Sequence, residues 1–191
     1  MRERGYRMVR YADDFVVLCR TQEEAQAALA EVRHWVEAAQ LSLHPDKTRI
    51  ANLSQQEGHF DFLGYRFYLA EDGRLKRTIK PKKRKALYKK LAQLTPRKAG
   101  RSLTALIEDI NPWLRGVFGY FKHADERVLA NRDAHIRYRL RRILAYRIGW
   151  RGSAKHLRAH QRWRSNYFAA CGLFSSITAR QAILHSHRGH I

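Results

Sequence analysis

The first apolar positions of the chain alternate around a short acidic segment. Apolar runs at residues 8–9 and 15–18 flank Tyr11–Asp14. Two strand-like runs separated by a short polar tip are typical of a β hairpin. We therefore predict a strand, a two-residue acidic tip formed by Asp13 and Asp14, and a returning strand.

A helical period follows this hairpin. Thr21 and Glu24 form a capping-box pattern, with Thr21 as the N-cap and Glu24 reaching back. The helix is predicted to end near Gln40, and its apolar positions recur at helical spacing. Trp35 or Val36 completes that apolar face, which makes Trp35 a core residue in this interpretation rather than a ligand-binding one.

A second β segment is predicted between residues 48 and 80. Residues 48–53 are expected to form a short strand. Residues 60–69 are rich in aromatic strand formers. The turn signal Glu71–Gly73 then leads into a returning strand over residues 74–80. This pattern predicts a second hairpin.

From Pro81 onward the pattern is helical almost throughout. Asn111 is predicted to cap a new helix because Pro112 is tolerated in a first helical turn. The predicted helices cover residues 82–94, about 102–111, 113–122, 125–147, 153–165 and 178–185. We therefore predict an α+β protein. A partial palm-like unit with two β hairpins and a long helix over residues 1–80 precedes an all-helical basic domain over residues 81–191.

The charge of the chain is distributed very unevenly. Residues 1–75 carry 10 Lys and Arg against 12 Asp and Glu, whereas residues 76–191 carry 28 against 5, which gives +23. Aromatic residues are interleaved with these cations. Such an asymmetry indicates a module that faces a polyanion, most simply nucleic acid. A basic solvated surface is one alternative. An acidic membrane surface is a third option, although no long basic amphipathic helix stands apart from a core pattern.

Other classes of function receive no support from the composition. The sequence has no apolar run of about 20 residues that would cross a membrane, and no membrane partner is expected. Cys19 and Cys171 form no metal-binding spacing. Cysteine usage fits a reducing, cytoplasmic setting.

The acidic tip carries the candidate chemistry. Asp13 and Asp14 place two carboxylates side by side, and such groups repel each other unless a cation neutralises them. Oxygen ligands of this kind suit Mg²⁺, and carboxylate-held metal ions drive phosphoryl transfer. The alternative interpretation is an ordinary acidic turn, because Asp favours turns.

Three separated segments now occur in a recognisable order: residues 9–16 (VRYADDFV), residues 41–48 (LSLHPDKT) and residues 62–65 (FLGY). Together they resemble the palm of reverse transcriptases of the group II intron-encoded type. Asn111–Gly116, followed by Tyr120 and Phe121, resembles the maturase, or thumb-like, region of that family. The resemblance covers nearly the whole chain.

The resemblance implies roles for individual residues of the palm. Asp13 and Asp14 would hold catalytic Mg²⁺ at the primer 3′ end, and Tyr11, with Ala12, would shape the turn and contact the primer–template. Lys47 would lie near the incoming triphosphate, unless it is an ordinary surface lysine. The primer grip would comprise Phe62, Leu63, Gly64 and Tyr65, which also fit an ordinary buried hairpin.

The resemblance also implies that the helical domain binds intron RNA. Asn111 and Arg115 would belong to that surface, although Asn111 also fits a simple helix cap. The clustered cations of the other helices would add phosphate contacts: Lys82, Lys83, Arg84, Arg137, Arg141 and Arg142.

Two features of the family are not recognisable in these residues. A reverse transcriptase palm uses a third carboxylate, and it works with fingers that bind template and nucleotide. We expect both upstream of residue 1, so that the chain is the C-terminal part of a longer enzyme and inactive as a polymerase alone. A separate chain that supplies the fingers is one possibility. The alternative is a non-enzymatic, maturase-like RNA-binding splicing factor.

Overall fold

The computed structural model describes residues 5–150, 153–154 and 157–188, with side chains up to residue 186. The chain divides into two compact units, Met1–Arg77 and Thr78–Ile191. The first unit combines short strands with one long helix, and the second is helical. The predicted α+β class is confirmed.

The chain opens with an antiparallel hairpin of β1 (Arg7–Tyr11) and β2 (Asp14–Leu18). Tyr11 lies directly opposite Asp14, so Ala12 and Asp13 form the two-residue connection. The predicted tip is therefore displaced by one residue, because Asp14 is already the first residue of β2.

Helix α1 (Gln22–Ala38) begins as the capping pattern predicts. The Thr21 hydroxyl accepts a hydrogen bond from the Glu24 backbone N–H at 3.1 Å. The Glu24 carboxylate reaches back one residue further than in a regular capping box, and it accepts the backbone N–H of Arg20 at 2.7 Å.

The buried face of α1 is formed by Ala28, Val32 and Val36. Trp35 is 62% exposed, so the expectation that Trp35 belongs to the core is wrong. Val36 lies four residues after Val32 and thus on the same face of the helix, whereas Trp35 is rotated away from it.

The segment between α1 and the second sheet is irregular. Residues 48–53, all of which the structure describes, do not form the predicted strand. The backbone turns instead at His44, whose carbonyl accepts the N–H groups of Lys47 and Thr48. Arg49 then donates a side-chain hydrogen bond to the His59 carbonyl at 3.2 Å.

A three-stranded sheet contains β3 (His59–Phe62), β4 (Tyr65–Leu69) and β5 (Leu75–Ile79) in that order. The single strand predicted over residues 60–69 is thus two strands. Leu63 and Gly64 have φ values of 48° and 78°. Positive φ at both central residues is typical of the type I′ turns that join tight hairpins.

Six helices follow in the described part of the second unit: α2 (Pro81–Leu94), α3 (Leu103–Phe121), α4 (Glu126–Arg147), α5 (Leu157–Arg162), α6 (Ser165–Ala170) and α7 (Ser176–Arg188). The core contains Leu91, Ile107, Ile110, Leu114, Ile136, Leu140, Ile143 and Phe168. Helix α4 contributes three of these residues and packs against α7.

Helix α3 continues through Pro112, so the predicted cap at Asn111 is wrong. Proline has no N–H and therefore cannot donate a hydrogen bond to the carbonyl four residues earlier, which is that of Glu108. Glu108 and Pro112 are both exposed. Water can therefore satisfy the released carbonyl, and the helix is not interrupted.

The single helix predicted over residues 153–165 is not observed in the part that the structure describes, which leaves out residues 155–156. The described part contains α5 and α6 with a break at Trp163 and Arg164. Trp163 is buried, and its carbonyl accepts a hydrogen bond from Arg141 at 2.9 Å. At the break, this carbonyl is therefore hydrogen-bonded to a side chain of α4.

No helix in the part of the chain that the structure describes is long and apolar enough to span a membrane.

Candidate catalytic hairpin and nucleic-acid interface

The tip of the first hairpin exposes its two carboxylates. Asp13 and Asp14 are both exposed, and Tyr11 beside them is 65% exposed. Ala12 has a φ of 50°, a conformation that is uncommon for residues other than glycine. The Arg10 Nε donates to the Ala12 carbonyl at 2.8 Å and so helps to hold this turn.

The donor set of this tip fits part of a Mg²⁺ site. Mg²⁺ prefers oxygen ligands, keeps several waters, and is usually bound through one or two protein carboxylates together with substrate phosphates. Asp13 and Asp14 provide two such carboxylates. No group of three potential metal ligands occurs among the described residues. Further oxygen ligands would therefore come from water, substrate phosphates or other protein groups.

The second hairpin tip contains the four residues predicted as the primer grip. Phe62 pairs with Tyr65 across the Leu63–Gly64 turn. Below them Phe60 and Phe67 stack with ring centroids 4.8 Å apart. These aromatic residues share one face of the hairpin because side chains alternate along a strand. Strand β2 contacts β3, so the two hairpins are neighbours within the first unit.

The opposite face of this hairpin is held by an ion pair. Arg66 and Asp61 are cross-strand partners, and both nitrogen–oxygen contacts are made, at 2.8 and 3.2 Å. Hydrogen bonding to Asp61 raises the pKa of Arg66. Asp61 is therefore committed to stabilising the hairpin.

Lys47 lies in the turn after Pro45, on a different segment from both hairpins. Its backbone N–H donates to the His44 carbonyl at 3.2 Å, and its side chain is exposed. The structure thus leaves the ammonium group available to an anion.

Three predicted RNA-binding cations occupy the first turn of α2. Lys82, Lys83 and Arg84 are exposed, this turn contains no acidic residue, and Lys80 at the N-cap supplies no side-chain cap. Cations at a helix N-terminus are unfavourable because they oppose the helix dipole. A phosphate would be favoured there by both the cations and the N–H groups.

The three predicted arginines of α4 differ in burial. Arg137 and Arg142 are half-buried, whereas Arg141 is only 3% exposed. The Arg141 Nε donates to the Trp163 carbonyl, and its guanidinium lies 5.4 Å from the centre of the Phe168 ring. Burial, followed by the nearby charge of Arg137, lowers the pKa of Arg141. Arg141 is therefore fixed in the interior.

Asn111 and Arg115 lie on α3, and both contact the loop that follows α6. Asn111 is buried; its amide donates to the Gly172 carbonyl at 2.8 Å and accepts the Phe174 N–H at 2.9 Å. The exposed Arg115 guanidinium lies 5.7 Å from the centre of the Phe174 ring. Asn111 thus positions the ring against which Arg115 rests.

Arg115 belongs to an exposed face of α3 with small side chains. Pro112, Arg115, Gly116 and Gly119 share this face by helical spacing, and all four are exposed. A Cβ added at Gly116 or Gly119 would meet nothing within 4 Å. Glycine inside a helix is unfavourable by up to about 1 kcal/mol relative to alanine, so the packing of α3 does not explain these residues.

The sequence did not reveal which polar residues hold the helical unit together. Arg139 Nη2 donates to the Thr95 carbonyl at 2.6 Å and the Ala92 carbonyl at 3.1 Å, at the C-terminus of α2. Asp133 is buried in α4 and accepts several hydrogen bonds from the start of α7. A basic helix offers no pattern that separates such structural residues from surface charges.

Comparison with protein families agrees with this division of the chain. Residues 1–67 match the family described as reverse transcriptase (RNA-dependent DNA polymerase). Residues 84–163 match the group II intron, maturase-specific domain. The chain belongs to the group II intron reverse transcriptase/maturase family. A search of the curated proteins found no match.

The two domains of this reverse transcriptase/maturase imply an RNA partner, and the reverse transcriptase family is typically dependent on a divalent metal. Tyr11, Asp13, Asp14, Lys47 and the hairpin tip at 62–65 all lie within the reverse transcriptase match. The maturase match contains Arg84, Asn111, Arg115, Arg137, Arg141 and Arg142, and it begins directly after Lys82 and Lys83.

Proposed function

We propose that this chain is the C-terminal part of a group II intron-encoded RNA-directed DNA polymerase and maturase. Nucleotidyl transfer at the first hairpin and intron RNA binding by the helical unit would together serve splicing and retromobility. The observation that carries the proposal is the order of the two domains, with an exposed carboxylate pair in the first and the excess of cations in the second.

Asp13 and Asp14 are proposed to hold Mg²⁺ at the primer 3′ end. Bound Mg²⁺ would stabilise the attacking and leaving oxygens of an in-line displacement. Tyr11, opposite Asp14 in the hairpin, would contact the primer–template beside this pair. Lys47 would neutralise negative charge that develops on the leaving pyrophosphate, because a fixed cation is most effective where charge appears in the transition state.

The turn Phe62–Tyr65 is proposed to position the primer strand. The proposal is supported by the contacts that hold this turn in place. Phe60 and Phe67 stack below the turn, and the Asp61–Arg66 ion pair holds the other face of the hairpin. A contact that orients a reacting end is effective only if its own supports are fixed.

The RNA-binding surface is proposed to include the N-terminal turn of α2 and the exposed face of α3. Lys82, Lys83 and Arg84 would neutralise phosphates at the helix N-terminus. Arg115 would contact the backbone where Gly116 permits a close approach. Folded RNA is recognised largely through its shape, its phosphates and its 2′-hydroxyl groups, so such a surface needs no direct contacts to base edges.

An alternative function is a splicing factor that binds RNA without polymerising. It is favoured by the donor set: Asp13 and Asp14 are two carboxylates, and no cluster of three metal ligands exists in the described ranges. We propose that the 191-residue chain does not synthesise DNA alone. Synthesis would require a third carboxylate and fingers, whether from a longer form of this protein or from a separate chain.

The affinity of the chain for a structured intron RNA, measured across a range of salt concentrations, tests the RNA-binding proposal. Affinity should fall steeply as the salt concentration rises, because Lys and Arg side chains that neutralise phosphates release the counterions condensed on the RNA. The variant Lys82→Gln/Lys83→Gln/Arg84→Gln should reduce the slope of log affinity against log salt by about two to three, since each lost phosphate contact removes about one.

The matched control Arg7→Gln/Arg33→Gln/Arg74→Gln removes the same charge from exposed positions of the first unit. It should change the slope by less than the α2 variant does. An affinity that does not depend on salt would refute the RNA-binding proposal.

A further inference from the structure

A groove of about 470 Å³ lies in the helical unit, outside the surface proposed above. Its lining includes Tyr88 from α2, His135, Arg137, Tyr138 and Arg141 from α4, and His160 from α5. This volume is within the range of small-ligand sites, which are about 300–1,000 Å³.

One wall of the groove is aromatic. The rings of Tyr88 and His135 lie with centroids 4.5 Å apart at an interplanar angle of 35°. The Tyr138 ring lies one helical turn further along α4, 6.0 Å from His135. Three neighbouring rings that line one cavity offer a surface on which a planar ring can stack.

The groove also carries a concentration of positive charge. Arg141 contributes a guanidinium that is more than nine-tenths buried and is held by the Trp163 carbonyl and the Phe168 ring. Arg137 lies beside it. His160 is exposed, and slight desolvation, then the charges of Arg141 and Arg137, lower its pKa. Among the described residues that line the groove there is no carboxylate to balance these cations.

A buried cation without a carboxylate partner in the lining is costly unless an anion approaches it. The aromatic wall and the cations lie in one cavity, so they would be satisfied together by a ligand that joins a planar ring to an anion. A nucleotide has this composition. Paired bases are stacked inside a helix, whereas unpaired bases can turn outward and stack on aromatic side chains.

We propose that this groove binds one unpaired RNA nucleotide, with its base on the Tyr88–His135–Tyr138 wall and its phosphate at Arg137, Arg141 and His160. The proposal rests on the RNA-binding function proposed above and adds to it a specific site for single-stranded RNA. In this site the buried Arg141, which lines the groove, would contact the phosphate.

The affinity of the full chain for two RNA probes tests this site. One probe is a single-stranded oligoribonucleotide of about ten nucleotides, and the other is a blunt duplex of the same length. Tyr88→Leu should weaken single-strand binding roughly tenfold, because it removes an aromatic ring on which the base stacks. Duplex binding should change by less than about twofold, and Tyr88→Phe should bind both probes like the unaltered chain.

Lys83→Gln provides the control, because it removes an exposed cation outside the groove and should weaken both probes by the same factor. If circular dichroism shows that Tyr88→Leu does not fold, Arg137→Gln replaces it, with the same preferential loss of single-strand binding expected. Equal losses on both probes from a folded groove variant would overturn the site and leave general RNA binding intact. If the unaltered chain does not bind the single strand, the site is wrong, and the RNA-binding function is wrong as well only if structured intron RNA is not bound either.

Discussion

The carboxylate of Asp133 in α4 caps α7 by accepting both the backbone N–H and the hydroxyl of Ser176, at 2.8 and 2.6 Å. Both residues are buried, and the same hydroxyl accepts a hydrogen bond from Arg132. Burial lowers the pKa of Arg132, and Asp133 opposes that shift. Asp133 therefore compensates a buried charge and fixes a helix terminus at once.

Replacing Asp133 should strongly destabilise the helical unit. Asp133→Ala leaves the Arg132 guanidinium buried without its counter-charge and removes the cap of α7, so we expect the free energy of unfolding to fall by about 3 kcal/mol. Urea denaturation followed by circular dichroism measures this loss. The control is Asp109→Ala, which removes an exposed partner of Arg101 and should cost less than about 1 kcal/mol. Similar losses in the two variants would contradict the role given to Asp133.

Alanine substitutions at Gly64 and at Gly116 should have opposite effects on the free energy of unfolding. Gly64 has a φ of 78°, so Gly64→Ala should destabilise the chain by about 1–2 kcal/mol. Gly116 lies inside α3 with open space around it, so Gly116→Ala should stabilise by about 0.5–1 kcal/mol. The urea midpoints of the two variants give the signs directly. A stabilised Gly64→Ala variant would show that the turn is not of the type described.

The proton affinity of His160 should report the positive charge of the groove. Its pKa lies below the ordinary 6.5, so the folded protein protonates this side chain at a lower pH than the unfolded chain does. Stability linked to His160 is therefore present above pH 6.5 and declines as the pH falls through that value toward the folded pKa.

Arg137→Gln should raise the pKa of His160 part of the way back, since the slight desolvation and the charge of Arg141 remain. An NMR titration of the imidazole protons, assigned with a His160→Gln variant, measures it. An unchanged or lower pKa in Arg137→Gln would show that Arg137 does not act on this histidine.

The sequence predicts the periodic parts of this fold well. The capping pattern at Thr21 locates the start of α1, and Asp125 locates the start of α4. In both helices the apolar positions recur at the spacing that a buried face requires. The family motifs, taken together, likewise indicate the reverse transcriptase and maturase-specific domains, which the family matches confirm.

The errors arise where the local sequence pattern does not determine the structure. Pro112 indicates a helix start because proline often occupies the first turn of a helix, yet helix α3 continues through it because the carbonyl it releases is exposed to water. Leu63 has positive φ, a conformation that leucine seldom adopts, so the sequence pattern of residues 60–69 did not show the turn. Arg141 is predicted among the RNA-binding cations, and the sequence does not show that it is buried, where it contacts the Trp163 carbonyl and the Phe168 ring.

We propose that nucleotidyl transfer and RNA binding belong to different units of this reverse transcriptase/maturase. The most direct test of this proposal is Asp13→Asn in an enzyme completed with fingers and upstream palm strands, with RNA-templated DNA synthesis and intron RNA affinity measured on the same preparation. We expect DNA synthesis to fall by about a hundredfold or more, which is the effect of removing a charge-stabilising group from an active site. The affinity for intron RNA should be unchanged. If Asp13→Asn weakens RNA binding as much as it weakens synthesis, the assignment of Asp13 to metal chemistry is wrong.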